Sequence, residues 1–158
     1  MEDFLILGVR HVGFVVKSIE VSQRFYEGLG FEAENKATEE FGPNISKLVG
    51  IKNVRIKTLK LRLKHIPNGI WREGGFRFEL IEYLIPKSLS LVESNNNIVA
   101  KGHLCFTVKD ISVTAKKILE LGGSLPFEFV LDTELKPIIA YVLDPDGIPI
   151  ELNASQQI

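Results

Sequence analysis

Two histidines and two glutamates stand in matched surroundings in this chain. His11 lies in Val9-Arg10-His11-Val12-Gly13-Phe14-Val15-Val16 and His103 in Gly102-His103-Leu104-Cys105-Phe106, while Glu79 sits in Phe78-Glu79-Leu80 and Glu151 in Ile150-Glu151-Leu152. Imidazole and carboxylate are the nitrogen and oxygen ligands that first-row divalent metals take, and two of each make a set suited to one ion with positions left open for water or substrate. A lone histidine on a strand is more often a hydrogen-bonded polar side chain than a ligand. What favours the metal reading here is that the residues come in pairs.

The pairing is written into the sequence as a repeat. Residues 11–30 slide by 92 positions onto residues 103–122 without a gap, and His11, Phe14, Val16, Lys17, Ile19, Val21, Leu29 and Gly30 meet identical residues at His103, Phe106, Val108, Lys109, Ile111, Val113, Leu121 and Gly122. Phe78-Glu79-Leu80 falls on Ile150-Glu151-Leu152 at a spacing of 72, so the first half carries twenty extra residues in its loops. Two repeats of this kind imply pseudo-symmetry, which makes equivalent positions meaningful.

The elements that must position these side chains follow from periodicity. Val12, Phe14 and Val16 alternate with His11, Gly13 and Val15, predicting a strand with His11 opposite its apolar face. Ser18 is the expected N-cap of a helix over 18–29, with Val21, Phe25 and Leu29 as its stripe and Ser22 and Tyr26 beside them, ending at Gly30. Strands are expected over 31–37, 54–64 and 76–84, with a loop carrying Gly42, Pro43 and Asn44 between the first two and a bulge near Thr58, where apolar parity shifts. Residues 87–100 read as a connection. A second round then predicts a strand over 101–109, a helix capped by Asp110 with Ile111, Ala115, Ile118 and Leu119 on its stripe, and strands over 124–131, 136–143 and 148–153. The tight turn Asp144-Pro145-Asp146-Gly147 leads into the strand on which Glu151 points away from Ile150 and Leu152. The order is strand, helix, three strands, twice over, an α+β fold.

Composition sets the bounds. A chain of 158 residues with 45% apolar residues has enough material for the core of one domain. Nineteen basic residues against twenty acidic ones argue against a nucleic-acid partner held by phosphate neutralisation. The apolar run near Phe4–Leu7 is too short for a membrane span or a signal core and follows acidic residues, so no membrane partner and a cytoplasmic location are expected. One cysteine, Cys105, excludes an internal disulfide and a zinc site of paired thiolates, which leaves histidine and carboxylate for any metal.

The double βαβββ pattern, His-Val-Gly-Phe-Val-Val from His11, Phe25-Tyr26, Leu29-Gly30-Phe31, Phe78-Glu79-Leu80-Ile81-Glu82, Gly102-His103-Leu104-Cys105-Phe106 and Asp144-Pro145-Asp146-Gly147 with Glu151 together resemble the vicinal oxygen chelate superfamily, from about Val9 to Asn153. That superfamily includes glyoxalase I, methylmalonyl-CoA epimerase, extradiol dioxygenases, fosfomycin-resistance enzymes and bleomycin-resistance binding proteins. The resemblance implies one domain of two tandem βαβββ modules, about 9–86 and 101–153, forming a cupped, partly open, barrel-like mixed sheet with helices outside. It implies one divalent metal (nickel, zinc, cobalt, manganese or iron) on His11, Glu79, His103 and Glu151. It also implies a homodimer and a small-molecule substrate, such as a thioester or thiol conjugate. The activity that follows is that of a lyase or isomerase abstracting a proton next to a carbonyl. The metal would act as Lewis acid, with Glu151 or Glu79 as base. Carboxylates at both last-strand positions look like glyoxalase I, whereas Tyr83-Leu84-Ile85-Pro86 departs from its pattern and the long loops look more like an epimerase. An iron(II) dioxygenase would use only His11, His103 and Glu151, and a metal-free binding protein would need none of the set.

Several other residues have bland readings. Glu82, on the opposite face from Glu79, reads as solvated or near a loop, and Cys105 as a small buried hydrophobe, although it shares a face with His103. Lys60, Arg62 and Lys64, with Arg55 and Lys57, read as the wet face of an edge strand or, alternatively, as an anion site. His65 reads as a surface residue, and Trp71 as a cover for a cavity mouth or a contact with a neighbouring chain.

Overall fold

The computed structural model describes residues 9–64, 76–89 and 100–155. His65, Trp71, the N-terminal run and most of the connection over 87–100 lie outside the described residues. The element order is β1 (Val12–Val16), α1 (Ile19–Gly28), β2 (Phe31–Ala33), β3 (Thr38–Phe41), α2 (Pro43–Val49), β4 (Arg55–Leu63), β5 (Arg77–Ile85), β6 (Leu104–Val108), α3 (Ile111–Glu120), β7 (Val130–Leu131), β8 (Pro137–Leu143) and β9 (Pro149–Ala154). Shifting β1 and α1 by the 92 residues of the repeat lands on β6 and α3 residue for residue. Among the described residues no helix is long and apolar enough to cross a membrane.

Contacts divide the chain into two units. The first holds β1 to Ile19, then β2, β3, α2, β4 and β5; the second holds the rest of α1 with β6, α3, β7, β8 and β9. The first sheet runs β1-β5-β4-β2 with β3 also on β4, and the second runs β6-β9-β8-β7. In both, the first strand lies parallel to the last while the other pairs are antiparallel, so each sheet is mixed, and among the described residues neither closes on itself.

In the first unit, Phe31, Leu59, Leu61, Phe78 and Leu80 are buried, and the Phe31 and Phe78 rings meet edge to face at 5.0 Å. The strand expected over 31–37 stops at Ala33, and the stretch read as a loop contains β3 and α2. Pro43 suits the first turn of α2, where no N–H is required, and Gly50 closes the helix with the left-handed φ of 73° that a side chain would resist. No bulge occurs at Thr58. Pairing of β4 with β5 is continuous from Ile56 to Arg62, and the register shift lies between Arg55 and Ile56. The parity change arises because Ile56 and Leu59, on opposite faces, are both buried. Nor is β4 an edge, since it lies between β5 and both β2 and β3.

Glu82 overturns its solvated reading. It is 7% exposed, its carboxylate accepts the backbone N–H of Ile19 at 3.0 Å, and Lys87 approaches to 3.5 Å. An acid there satisfies the first free donor of α1. The helix stripe also differs from expectation: Ser22, Phe25 and Tyr26 are buried while Val21 is exposed, and in α3 Leu119 is exposed beside buried Ile111, Ala115 and Ile118. Asp110 caps α3 as expected, accepting the Val113 N–H at 2.9 Å.

The second unit is tied together by Asp144, only 3% exposed. Its Oδ1 accepts the backbone N–H groups of Asp146 and Ile148, each at 2.8 Å, and so shapes the turn in which Gly147 takes a φ of 87°. Its Oδ2 accepts the hydroxyl of Tyr26 at 3.0 Å, fastening α1 to the head of β9. Burial pushes the Asp144 carboxyl up to about 6, against the pull of these three donors. Burial, and then the nearby carboxylate, also hold the Tyr26 phenol well above its ordinary range.

Two outcomes follow for urea denaturation. Tyr26→Phe leaves a buried acceptor unpaired and lowers the unfolding free energy by about 1–3 kcal/mol. Because the folded Asp144 carboxyl binds its proton more tightly than the unfolded one, the stability linked to it is complete below about pH 4 and lost as pH rises through about 6. Asp144→Asn keeps an oxygen for both backbone donors without the charge. Its stability relative to wild type therefore rises by up to about 3 kcal/mol from pH 4 to pH 7.

Candidate metal centre

Each unit brings one histidine to one glutamate by the same construction. In the first, Gly13 of β1 pairs with Glu79 of β5, and His11 lies two residues before Gly13 on the same face. In the second, Cys105 of β6 pairs with Glu151 of β9, and His103 lies two residues before Cys105. Side chains diagonal to one another across a strand pair are within reach of long groups. His11 Nε2 lies 3.3 Å from Glu79 Oε2, and His103 Nε2 lies 3.3 Å from Glu151 Oε2. Ligand atoms on one ion at bonds of about 2.1 Å lie about 3.0–3.4 Å apart, so each pair has the spacing of neighbouring ligands. Among the described residues, no three His, Cys, Asp or Glu side chains come together closely enough to hold a metal ion. Each unit by itself therefore presents one nitrogen and one oxygen donor.

The surroundings of the two pairs differ. Across the sheet from Glu79 stands Lys60, whose Nζ is 3.8 Å from Oε1. Across from Glu151 stands Tyr141 of β8, whose hydroxyl donates to Oε2 at 2.7 Å and lies 3.4 Å from His103 Nε2. Asn153, two residues along β9, donates its Nδ2 to Glu151 Oε1 at 2.7 Å and to Cys105 Sγ at 3.1 Å. Donation from Tyr141, then from Asn153, lowers the Glu151 carboxyl below its ordinary range, and His103 adds to this. The same bond, more than burial, raises the Tyr141 phenol to about 12.

Tyr141 and Asn153 were not singled out in the sequence. Asn153 could have been found, since a residue two along from Glu151 shares its face; Tyr141 requires the register of β8 on β9. Cys105 is exposed beside this network, which corrects its reading as a buried hydrophobe. The basic stripe is largely matched by acids: Arg55 bonds Glu39 at 2.9 Å, Arg62 bonds Glu32 at 2.9 Å, and Lys60 faces Glu79.

Comparison with known proteins agrees with this architecture. The family model of the Glyoxalase/Bleomycin resistance protein/Dioxygenase superfamily matches residues 8–152. A glyoxalase family protein from Bacillus cereus superposes with a TM-score of 0.79 at 21% identity, over 98% of this chain and 97% of that one. The trypanothione-dependent glyoxalase I of Leishmania major gives 0.59 at 20% identity, over 92% and 84%. A fosfomycin resistance protein from Listeria monocytogenes gives 0.59 at 17% identity, over 97% of each chain. Identities this low speak for the fold alone. No curated protein sequence matches significantly. The chain belongs to the glyoxalase/bleomycin resistance protein/dioxygenase superfamily.

Proposed function

We propose that this protein is a divalent-metal-dependent lyase or isomerase that moves a proton on a carbon next to a carbonyl, with His11, Glu79, His103 and Glu151 as the ligand set. One observation carries the reading: two equivalent histidine–glutamate pairs, built by the same strand register, with the same 3.3 Å between nitrogen and oxygen. Nickel, zinc, cobalt, manganese and iron all accept such a set. When bound, the ion supplies Lewis acidity toward one or two substrate oxygens.

The remaining chemistry belongs to the side chains. A carboxylate of the set, Glu79 or Glu151, takes the proton: the C–H bond breaks, its electron pair spreads onto the carbonyl oxygen, and an O–H bond forms on the glutamate. Returning the proton to the neighbouring carbon, or to the opposite face of the same one, completes the turnover. The substrate class is a small carbonyl compound carried on a thiol, as a thioester or a thiol conjugate. The active form is a homodimer in the cytoplasm, where the free thiol of exposed Cys105 stays reduced.

Elemental analysis of purified protein is expected to find one divalent ion per ligand set, lost in both His11→Ala and His103→Ala. Unchanged metal in both variants would contradict the reading. Glu79→Gln and Glu151→Gln are each expected to weaken metal binding and to slow by about 100-fold or more the exchange of solvent deuterium into glutathione and coenzyme A thioesters, followed by NMR. A mixing experiment reads how the set is completed. If the two pairs of one set come from different copies, co-refolding His11→Ala with His103→Ala regenerates intact sets and restores metal uptake; if both come from one chain, the mixture stays empty.

A further inference from the structure

The segment that interrupts the repeat also makes a cavity, and we propose that this cavity is a second small-molecule site, one that takes an aryl carboxylate: a flat apolar body with a single negative charge. It lies wholly within the first unit and does not depend on the metal reading above. A hollow of about 690 Å³ opens where the end of β3, the start of α2, the first residue of β4 and the last of β5 meet. Sites for small molecules have volumes of about 300–1,000 Å³.

Set against the second unit's order of one strand, one helix and three strands, β3 and α2 are additions. Helix α2 buries none of its residues, so the core gains little from it. What the added segment does provide is wall. Phe41, Pro43 and Ile85 line the hollow together with buried Val54, and Phe41 and Ile85 remain 69% and 55% exposed. Large apolar side chains kept open in a concave place are the usual lining of a small-molecule site. The hollow is also separate from the candidate metal ligands. Arg55, on its wall, lies five residues along β4 from Lys60, the cross-strand partner of Glu79. That odd number turns it to the opposite face of the strand, about 17 Å away.

Two cations on the wall decide the ligand's chemistry, because one is already matched and the other is not. Glu39 accepts from Arg55 Nε at 2.9 Å, and the guanidinium carbon lies 5.8 Å from the centre of the Phe41 ring. The charge of Arg55 is therefore met, and what it and Phe41 offer is flat surface on which a ring can stack. Lys52 lines the same hollow, and among the described residues no carboxylate pairs with it. One uncompensated ammonium calls for one negative charge, which a carboxylate supplies. A phosphate would carry a second charge with no free cation among the lining residues to meet it. The loop that brings Lys52 here is curled by left-handed backbone at Gly50, with a φ of 73°, and at Asn53, with a φ of 55° that asparagine tolerates.

The test titrates β-naphthoate into the purified protein and follows backbone amide shifts by NMR. Two partial probes run beside it: β-naphthylmethanol, which has the ring without the charge, and acetate, which has the charge without the ring. Saturable shifts are expected over residues 41–55 and at Ile85, with naphthoate bound at least about fivefold more tightly than naphthylmethanol. Acetate is expected to give no saturable shift. Lys52→Met is expected to weaken naphthoate at least about fivefold and to leave naphthylmethanol within about twofold of wild type, whereas Phe41→Ala weakens both at least about threefold. Both side chains are exposed, so both variants keep the fold, which the amide spectrum reads directly. His11→Ala and Glu79→Gln are expected to bind naphthoate as the wild type does, so a protein that takes up no metal leaves this site standing. No saturable shift, shifts confined to other residues, equal affinity for the acid and the alcohol, or wild-type naphthoate affinity in Lys52→Met overturns the proposal. So does weakened naphthoate binding in His11→Ala or Glu79→Gln, which would put the acid at the candidate metal ligands instead.

Discussion

The parallel pairing of first strand with last strand is the constraint on which the rest of this molecule depends. Parallel neighbours run in phase, so a residue two places before the partner of a glutamate falls on the same face and one diagonal away. That places His11 beside Glu79 through Gly13, and His103 beside Glu151 through Cys105. A slip of one residue in either pair would turn the glutamate to the apolar face. Register is protected there, because the neighbours of each glutamate, Phe78 and Leu80 in one unit and Ile150 and Leu152 in the other, are fully buried. The core leaves each glutamate only one face to occupy.

Around these matched pairs the repeats have diverged. The second unit surrounds its glutamate with neutral hydrogen-bond donors and holds the strand beneath through Asp144, which joins the turn before β9 to Tyr26. The first unit places a flexible cation beside its glutamate and uses a buried acid, Glu82, at the start of α1. Both units bury a carboxylate at a structural junction and keep a second on the open face. They satisfy the buried one differently, with backbone donors and a phenol in one case and a backbone donor and a lysine in the other. Burial of an acid is tolerable only when donors meet it, and both oxygens of each have one.

Much of this was legible in the sequence, and what was not has a physical reason. Strands β1 and β6, helices α1 and α3 and the two histidines follow from alternation, helical spacing and a repeat without gaps, and the two glutamates from its resumption at a spacing of 72. Strand β3 and helix α2 were hidden because α2 has no buried residue, so no apolar stripe announces it. Asp144 stands in a turn whose sequence announces only the turn; its bond to Tyr26, far away in the chain, is encoded by no local pattern. Glu82 escapes local pattern for a related reason: its partner is a backbone N–H, which leaves no mark on residue type. Cys105 and Tyr141 needed strand register, since the face of a residue can be guessed from alternation but its cross-strand neighbour cannot.

The ligand set proposed above puts two imidazoles and two carboxylates on one ion. X-ray absorption at the metal edge of protein loaded with cobalt(II) tests it most directly, because it counts the ligands on the metal itself. The expected first shell is nitrogen and oxygen only, with outer-shell scattering from two imidazoles in the wild type and no bound metal after either His11→Ala or His103→Ala. A wild-type spectrum with no imidazole or only one, or a sulfur scatterer from Cys105 in the first shell, would contradict it.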